Sequence, residues 1–357
     1  MGVTISGVSP QVYDRNLALE LLRATEAAAL SAAPLTGRGD KEAADQRAVD
    51  AMRNALASVD MKGTVVIGEG EKDEAPMLYF GEEIGNGMEP EVDVAVDPID
   101  GTEFTARLIP GAMSVVALAE RGCMFTSHIH YMEKLVVGRR ARGVIDINMP
   151  VEWNLVRIAK AEGLHPRDLT VIILDRARNR GVVEQVRAVG PRISLISGGD
   201  VAAAVAAAND QLTGKHVLMG SGGATEGVLA ACAVKSLRGD MQAKFHFRNE
   251  SERKLVAKEG HDPDRSFGID DLCSGENIFF AATGITTGDL LRGVRYDEEY
   301  AYTHSMVLRS KSGTIRYVDA YHENSKLREN GLLPEQVMLN HAPNRGEARG
   351  SAARVRA

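Results

Sequence analysis

One segment constrains this chain more than any other: Val92-Asp93-Val94-Ala95-Val96-Asp97-Pro98-Ile99-Asp100-Gly101-Thr102. Its apolar start reads as a buried strand that ends in two acids, Asp97 and Asp100. Pro98 fixes the backbone directly after Asp97, and Gly101 permits a tight turn. Such a turn aims both carboxylates and the Ile99 carbonyl at one point. These are hard oxygen donors, suited to Mg²⁺ or Mn²⁺. Gly101 and Thr102 then offer backbone N–H groups, and Thr102 a hydroxyl, to an anion beside the ions. An isolated Asp-x-x-Asp would be read as a solvated turn. The whole string behind an apolar strand is far more specific.

Three further constellations carry the same chemistry. In Val65-Val66-Ile67-Gly68-Glu69-Gly70-Glu71 an apolar strand runs into the glycine-bracketed acid Glu69, at a strand end where ligands of α/β sheets gather. Glu71, Asp73 and Glu74 follow in a polar run and read as solvated. On a helix expected over residues 42–58, Asp45 shares one face with Val49, Met52 and Leu56. A buried carboxylate needs a cation, a donor or a helix terminus. Stabilisation by the helix dipole is the plain reading, and a metal role the sharper one. Lys41, in the preceding loop, could hold a phosphate or orient an acid. Gly220-Ser221-Gly222-Gly223-Ala224-Thr225-Glu226-Gly227 reads as a glycine-rich turn entering a buried helix, with Glu226 in its first turn. It lacks the Gly-Lys-Ser/Thr ending of a nucleotide-binding P-loop.

Around these motifs the pattern is that of an α/β protein. An opening helix is expected to end near Pro34, and strands over residues 64–67, 92–96 and 114–119. From Trp153 onward helices (152–161, 182–187, 201–207) alternate with strands (170–174, 193–196, 216–219), which predicts a partly parallel sheet covered by helices. Closing strands are expected over 278–282, 305–308 and 314–318. The pattern changes near Pro150. This gives a metal-binding α+β half over 1–150 and an α/β half with the sugar-phosphate contacts and Glu226 over 151–335. Residues 340–357 read as a disordered tail.

The 357 residues carry a net charge of −7 with no long basic stretch, which argues against nucleic acid but not against a phosphorylated ligand. Three cysteines, an odd number without Cys-x-x-Cys spacing, argue against disulfides and thiolate zinc and for the reducing cytoplasm. Glu20, Arg23 and Glu26 interrupt residues 17–30, so this stretch reads as an amphipathic helix and not a signal peptide; nothing is long enough to span a membrane. His128 and His130 share one face of a possible strand, more plainly sheet decoration than zinc ligands.

Asp-Pro-Ile-Asp-Gly-Thr behind a glycine-flanked glutamate resembles the lithium-sensitive, metal-dependent phosphatases. The usual Trp-Asp-x-Ala-Ala is missing; the only tryptophan is Trp153. Instead, Gly-Arg-Gly-Asp-Lys, Ile-Gly-Glu-Gly-Glu-Lys-Asp-Glu-Ala-Pro-Met, Tyr131-Met132-Glu133-Lys134-Leu135 and Gly-Gly-Ala-Thr-Glu-Gly resemble the bacterial class II fructose-1,6-bisphosphatases, some of which also take sedoheptulose 1,7-bisphosphate. The resemblance implies a layered α/β/α/β/α sandwich. It implies two or three Mg²⁺ or Mn²⁺ ions on Asp45, Glu69, Asp97, Asp100 and Glu226. It also implies substrate contacts at Asp100, Gly101, Thr102, Tyr131, Arg176, Ala177, Arg178, Gly198, Gly199, Asp200 and Gly223. Gly198 stands where many relatives have Asp, and Asp100 where many have Glu.

The expected activity is hydrolysis of the 1-phosphate of fructose 1,6-bisphosphate by metal-activated water, with Thr102, Lys41, Asp45 and Glu69 in the reaction and a dimer or tetramer as the assembly. After the strand over 170–174, an extended exit would point Arg176 and Arg178 the same way, as a clamp for the distal phosphate. A monophosphatase acting on inositol phosphates or nucleotides would share the metals but lack this clamp. A non-catalytic sugar-phosphate-binding regulator would be expected to have lost metal carboxylates, and all five are present.

Overall fold

The computed structural model describes residues 16–70 and 77–334. It opens with helices α1 (Ala18–Ala32) and α2 (Lys41–Ala57). Asp40 caps α2 by accepting the Ala43 N–H at 3.0 Å. Lys41 is therefore the first helical residue and not part of the loop. Strands β1 (Lys62–Ile67), β2 (Glu83–Ile84) and β3 (Glu91–Asp100), the short helix α3 (Thr102–Arg107) and β4 (Met113–Glu120) follow. Next come β5 (Tyr131–Val137), α4 (Val151–Glu162), β6 (Thr170–Leu174), α5 (Arg180–Val189) and β7 (Arg192–Ile196). Then α6 (Asp200–Ala208), α7 (Asp210–Thr213), β8 (Val217–Gly223), α8 (Ala224–Ser236), β9 (Asp240–Phe245) and α9 (Glu250–Lys258) follow. The chain continues through β10 (Ser266–Gly268), α10 (Ile269–Leu272), β11 (Phe279–Gly284), β12 (Arg295–Tyr296), β13 (Tyr300–Arg309), β14 (Thr314–Glu323) and α11 (Asn324–Glu329).

The strands form two mixed sheets. The first runs β12-β13-β11-β4-β3-β1-β2, with β14 pairing β13; the second runs β10-β9-β5-β8-β6-β7. Among the described residues parallel pairing is confined to β1–β3, β6–β7 and β6–β8. Alternation along each strand sorts the core into layers. Val94 and Val96 face α1 and α2, while Ala95 faces the layer between the sheets, where α6 and α8 lie. In the second sheet Met132, Val136 and Ile172 face that same middle layer, and Leu135, Val171 and Ile173 face α4. Because α6 and α8 have a sheet on either side, they are apolar nearly all round. The result is an α/β/α/β/α sandwich.

Three details differ from the sequence expectation. β3 does not stop at Asp97: it reaches Asp100, and its register against β4 shifts between the two acids. Pro98 has no N–H to give to the ladder, so the strand dislocates there and continues. Gly220 to Gly223 belong to β8, and the helix begins at Ala224. β5 and β9 lie outside the expected strands. The buried Lys134 interrupts the apolar face of β5, whereas β9 alternates Asp240, Gln242 and Lys244 with buried Met241, Ala243 and Phe245, a strand signal that is present in the sequence but short.

The pattern change near Pro150 falls before α4, within the part that builds the second sheet; the strands from Phe279 onward return to the first. Glu71, Asp73, Glu74 and the tail at 340–357 lie outside the described residues. Among the described residues no helix is long and apolar enough to cross a membrane.

Candidate active site

The sandwich opens in a cleft of about 1260 Å³, to which both sheets contribute. The first sheet supplies Glu69, just past the end of β1, and Asp97 and Asp100 on the dislocated end of β3. Gly101 then adopts φ +92°, a left-handed conformation that suits glycine, and turns the chain into α3. Thr102 begins that helix in the cleft wall, its hydroxyl donating to the Ile99 carbonyl at 3.3 Å. Lys41 lines the same side. Glu226 enters from the first turn of α8. Asp45 is half-buried on α2 behind this wall and does not line the cleft.

These acids repel one another and lie out of bulk water. Burial pushes the Glu69 carboxyl up to about 8, with Asp45 and Glu226 adding to the shift. Asp97 is pushed well up, by burial first and then by Asp100, Glu69, Glu226 and Asp45. Asp100 rises to about 7, mainly through burial, while the Ala202 N–H and Lys134 oppose the rise. Asp45 is raised by burial against the pull of Lys41.

The donor set is oxygen only, which fits hard Mg²⁺ or Mn²⁺ and not a soft-ligand metal. Among the described residues no three His, Cys, Asp or Glu side chains are drawn together into a ready ligand set. Two of the acids are turned to local donors: Asp100 accepts the Ala202 N–H at 3.0 Å, and Glu226 accepts the Thr225 hydroxyl at 2.7 Å.

The second sheet supplies the opposite charge. Residues Ala177–Asn179 form a 3₁₀ turn after β6, so the exit is not the extended one expected. The tightening follows from Asn179, whose buried amide donates to the Leu174 carbonyl at 3.0 Å and folds the chain back. Arg176 and Arg178 both line the cleft all the same, while Ala177 is exposed outside its lining. Arg178 donates to the Ser221 carbonyl at 3.1 Å and lies 4.1 Å above the Tyr131 ring. Arg176 donates to the Ser197 carbonyl at 2.6 Å. Gly198, Gly199, Asp200 and Gly223 complete the lining.

Over residues 15–322 the sequence matches the model of a family described as bacterial fructose-1,6-bisphosphatase, glpX-encoded. The chain belongs to this family. It is 40% identical, over 344 residues, to the D-fructose 1,6-bisphosphatase class 2/sedoheptulose 1,7-bisphosphatase of Synechococcus sp. (strain JA-2-3B'a(2-13)), a match that covers 89% of this chain and 99% of the relative. It is 44% identical, over 322 residues, to the fructose-1,6-bisphosphatase class 2 of Haemophilus influenzae, covering 87% and 96%. It is thus a phosphatase of layered α/β fold.

In this fructose-bisphosphatase fold two residues matter that sequence reasoning gave no role. Asn179 donates to the Ser221 carbonyl at 3.0 Å and accepts the Ser221 N–H at 2.7 Å, which ties the arginine turn to β8. Lys134 is buried under the cleft and donates to Asp200 and, at 2.8 Å, to the Gly223 carbonyl. Its only sequence signal was its place in the Tyr131-Met132-Glu133-Lys134-Leu135 motif. His128 and His130 precede β5 and do not share a strand face; His128 bonds to Glu259 at 2.7 Å, and His130 lies 3.4 Å from Glu252.

Proposed function

We propose that this chain hydrolyses the 1-phosphate of fructose 1,6-bisphosphate to give fructose 6-phosphate and phosphate, and that it accepts sedoheptulose 1,7-bisphosphate as well. Both substrates are named for its relatives. The observation that carries the reading is one cleft with an acidic wall and, facing it, the pair Arg176 and Arg178. A bisphosphate needs two anion-binding places, and a monophosphate only one.

Two or three Mg²⁺ or Mn²⁺ ions, held by Glu69, Asp97, Asp100 and Glu226 in the cleft and by Asp45 from close behind Glu69 and Asp97, would neutralise phosphoryl charge and make a water more acidic. The protein groups do the rest. Arg176 and Arg178 bind the distal phosphate through charge-assisted hydrogen bonds, with the Tyr131 ring fixing the Arg178 plane. Asp200 and the backbone at Gly198, Gly199 and Gly223 meet the sugar. Thr102, beside Gly101, orients the water or the phosphoryl group. Lys41 favours the ionised form of Asp45. Water oxygen bonds to phosphorus as the bond to the sugar oxygen breaks, and that oxygen leaves with a proton. Positioning and charge stabilisation supply most of the rate, and no covalent intermediate is required.

The Asp-Pro-Ile-Asp-Gly-Thr segment supports kinship with the lithium-sensitive phosphatases. We assign the enzyme to sugar-phosphate metabolism in the cytoplasm, gluconeogenic or Calvin-type, as a dimer or tetramer; the free cysteines fit a reducing compartment. Phosphate release from sugar bisphosphates, inositol phosphates and nucleotides, measured with Mg²⁺ or Mn²⁺, tests the reading. A preference for a monophosphate would overturn it.

A further inference from the structure

The Lys134–Asp200 pair lies under the cleft floor with side chains only 2% and 7% exposed. Burying two charges is costly, and such a pair stabilises less than an apolar one of similar shape unless it also holds something in place. Here it joins three parts of the site. The Lys134 ammonium donates to Asp200 Oδ2 and to the Gly223 carbonyl, next to the helix that carries Glu226. Asp200 begins α6, and two residues on, the Ala202 N–H donates to Asp100. Across β8, a Cβ on Gly222 would run into the Asp200 carboxylate, so the acid lies flat against bare backbone.

One carboxylate oxygen is left over. Asp200 Oδ1 is buried without a hydrogen-bond partner, on a residue that lines the cleft. An orphan acceptor of this kind calls for a donor from the ligand. An ionised acid repels a phosphate, so the donor is a hydroxyl. Lys134 itself does not line the cleft, so it acts through Asp200 and not on the substrate.

We infer that Lys134 is a positioning residue: by holding Oδ2 it fixes Oδ1 as an acceptor for a sugar hydroxyl, and so selects polyol phosphates over simple phosphate esters. This rests on the proposed bisphosphatase reading. The test compares kcat and KM for fructose 1,6-bisphosphate and for p-nitrophenyl phosphate, which has no hydroxyl to offer. Lys134→Met should lower kcat/KM for the sugar by about thirtyfold or more, mostly through KM, and by about tenfold more than for the aryl ester.

Lys134→Met leaves a buried acid unpaired and could fail to fold. Lys134→Met with Asp200→Asn removes both charges, and its loss should match that of Asp200→Asn alone, because the two residues act as one unit. Gly222→Ala keeps both charges but displaces the acid, and should show the same shift in substrate ratio. Equal losses on the two substrates, or additive losses in the double variant, would overturn the inference while leaving the bisphosphatase reading intact. A wild-type enzyme that does not hydrolyse the sugar bisphosphate would overturn that reading and this inference together.

Discussion

The two walls of the cleft carry opposite charge and are held in different ways. On the acidic wall, Glu69, Asp97 and Asp100 are each pushed up by burial first and then by neighbouring acids: Asp45 and Glu226 at Glu69, Asp100 and Glu69 at Asp97, Asp200 and Glu226 at Asp100. On the basic wall, Arg176 and Arg178 are anchored by backbone carbonyls, and Arg178 also by the Tyr131 ring. The arginines are preorganised by the fold itself, so little ordering remains when an anion arrives. The acids are gathered against their own repulsion, and only a cation or protons would relieve it. One wall is built for chemistry at the cost of stability, and the other for binding at almost none.

Breaking the acidic wall should have the largest effect. Asp97→Ala or Glu226→Ala is expected to lower kcat by roughly three to five orders of magnitude, since transition-state charge would lose its stabilisation. The metal-free melting temperature should hold or rise, because a repelling charge is gone. Chelation with EDTA should abolish turnover, and Mg²⁺ or Mn²⁺ should restore it. Full activity in metal-free buffer would contradict the mechanism. Next in size is Thr102. Thr102→Val, which keeps the shape but not the hydroxyl, should cost on the order of a hundredfold in kcat, and Thr102→Ser much less. Similar rates for the two would remove the hydroxyl from the chemistry.

Breaking the basic wall should look different in kind. Arg178→Ala is expected to raise KM for fructose 1,6-bisphosphate by a penalty of about 1.5–3 kcal/mol, the loss of a charge-assisted hydrogen bond, with kcat little changed. Hydrolysis of a small monophosphate should fall much less. Equal losses on both substrates would move Arg178 to the reaction centre or the scaffold and undo the contrast between the walls.

The acidic wall was far more legible in the sequence than the basic one, for a physical reason. Acids at the ends of apolar strands stand out, since each breaks a run that burial would otherwise continue. The lesson has a limit at Asp93, which interrupts the same strand. It is buried and accepts the Cys123 and Met124 N–H groups at 2.9 and 3.1 Å, a satisfied structural acid. Only the tertiary course of residues 123–124 distinguishes it from Asp97. Sequence position points to the arginines but not to their geometry, because the fold-back at Asn179 also depends on β8, over forty residues away. Lys134 was obscured for the same reason: its partners, Asp200 and Gly223, are distant in sequence. The helix–strand alternation makes a helix-covered sheet legible, while the five-layer sandwich follows only from the family resemblance; β5 is not legible, because Glu133 and Lys134 interrupt its apolar pattern.

The smallest effect concerns an acid outside the cleft, and it separates burial from crowding by other acids. Glu26 on α1 is pushed up to about 7, by burial first, against the Thr303 hydroxyl and Arg23. Thr303 donates to it at 3.0 Å, and His322 lies 3.7 Å away, itself held below its usual range by burial. Among the described residues no neighbouring acid contributes to the shift, unlike at Glu69. The folded protein therefore keeps a proton that the unfolded chain releases. Stability from this group is fully present below about 4.5 and is lost as pH rises toward about 7. Glu26 lines an open pocket of about 770 Å³, where water can relax around the charge. The loss should then be modest, about 1–2 kcal/mol by pH 8. Glu26→Gln should flatten the stability profile by that amount and raise the melting temperature at pH 8. Mg²⁺ should suppress the corresponding slope from the cleft acids, by binding the folded state, but leave the Glu26 slope unchanged. A Glu26 slope that vanished with Mg²⁺ would show that the two groups of acids titrate together, and the distinction between burial and crowding would fall.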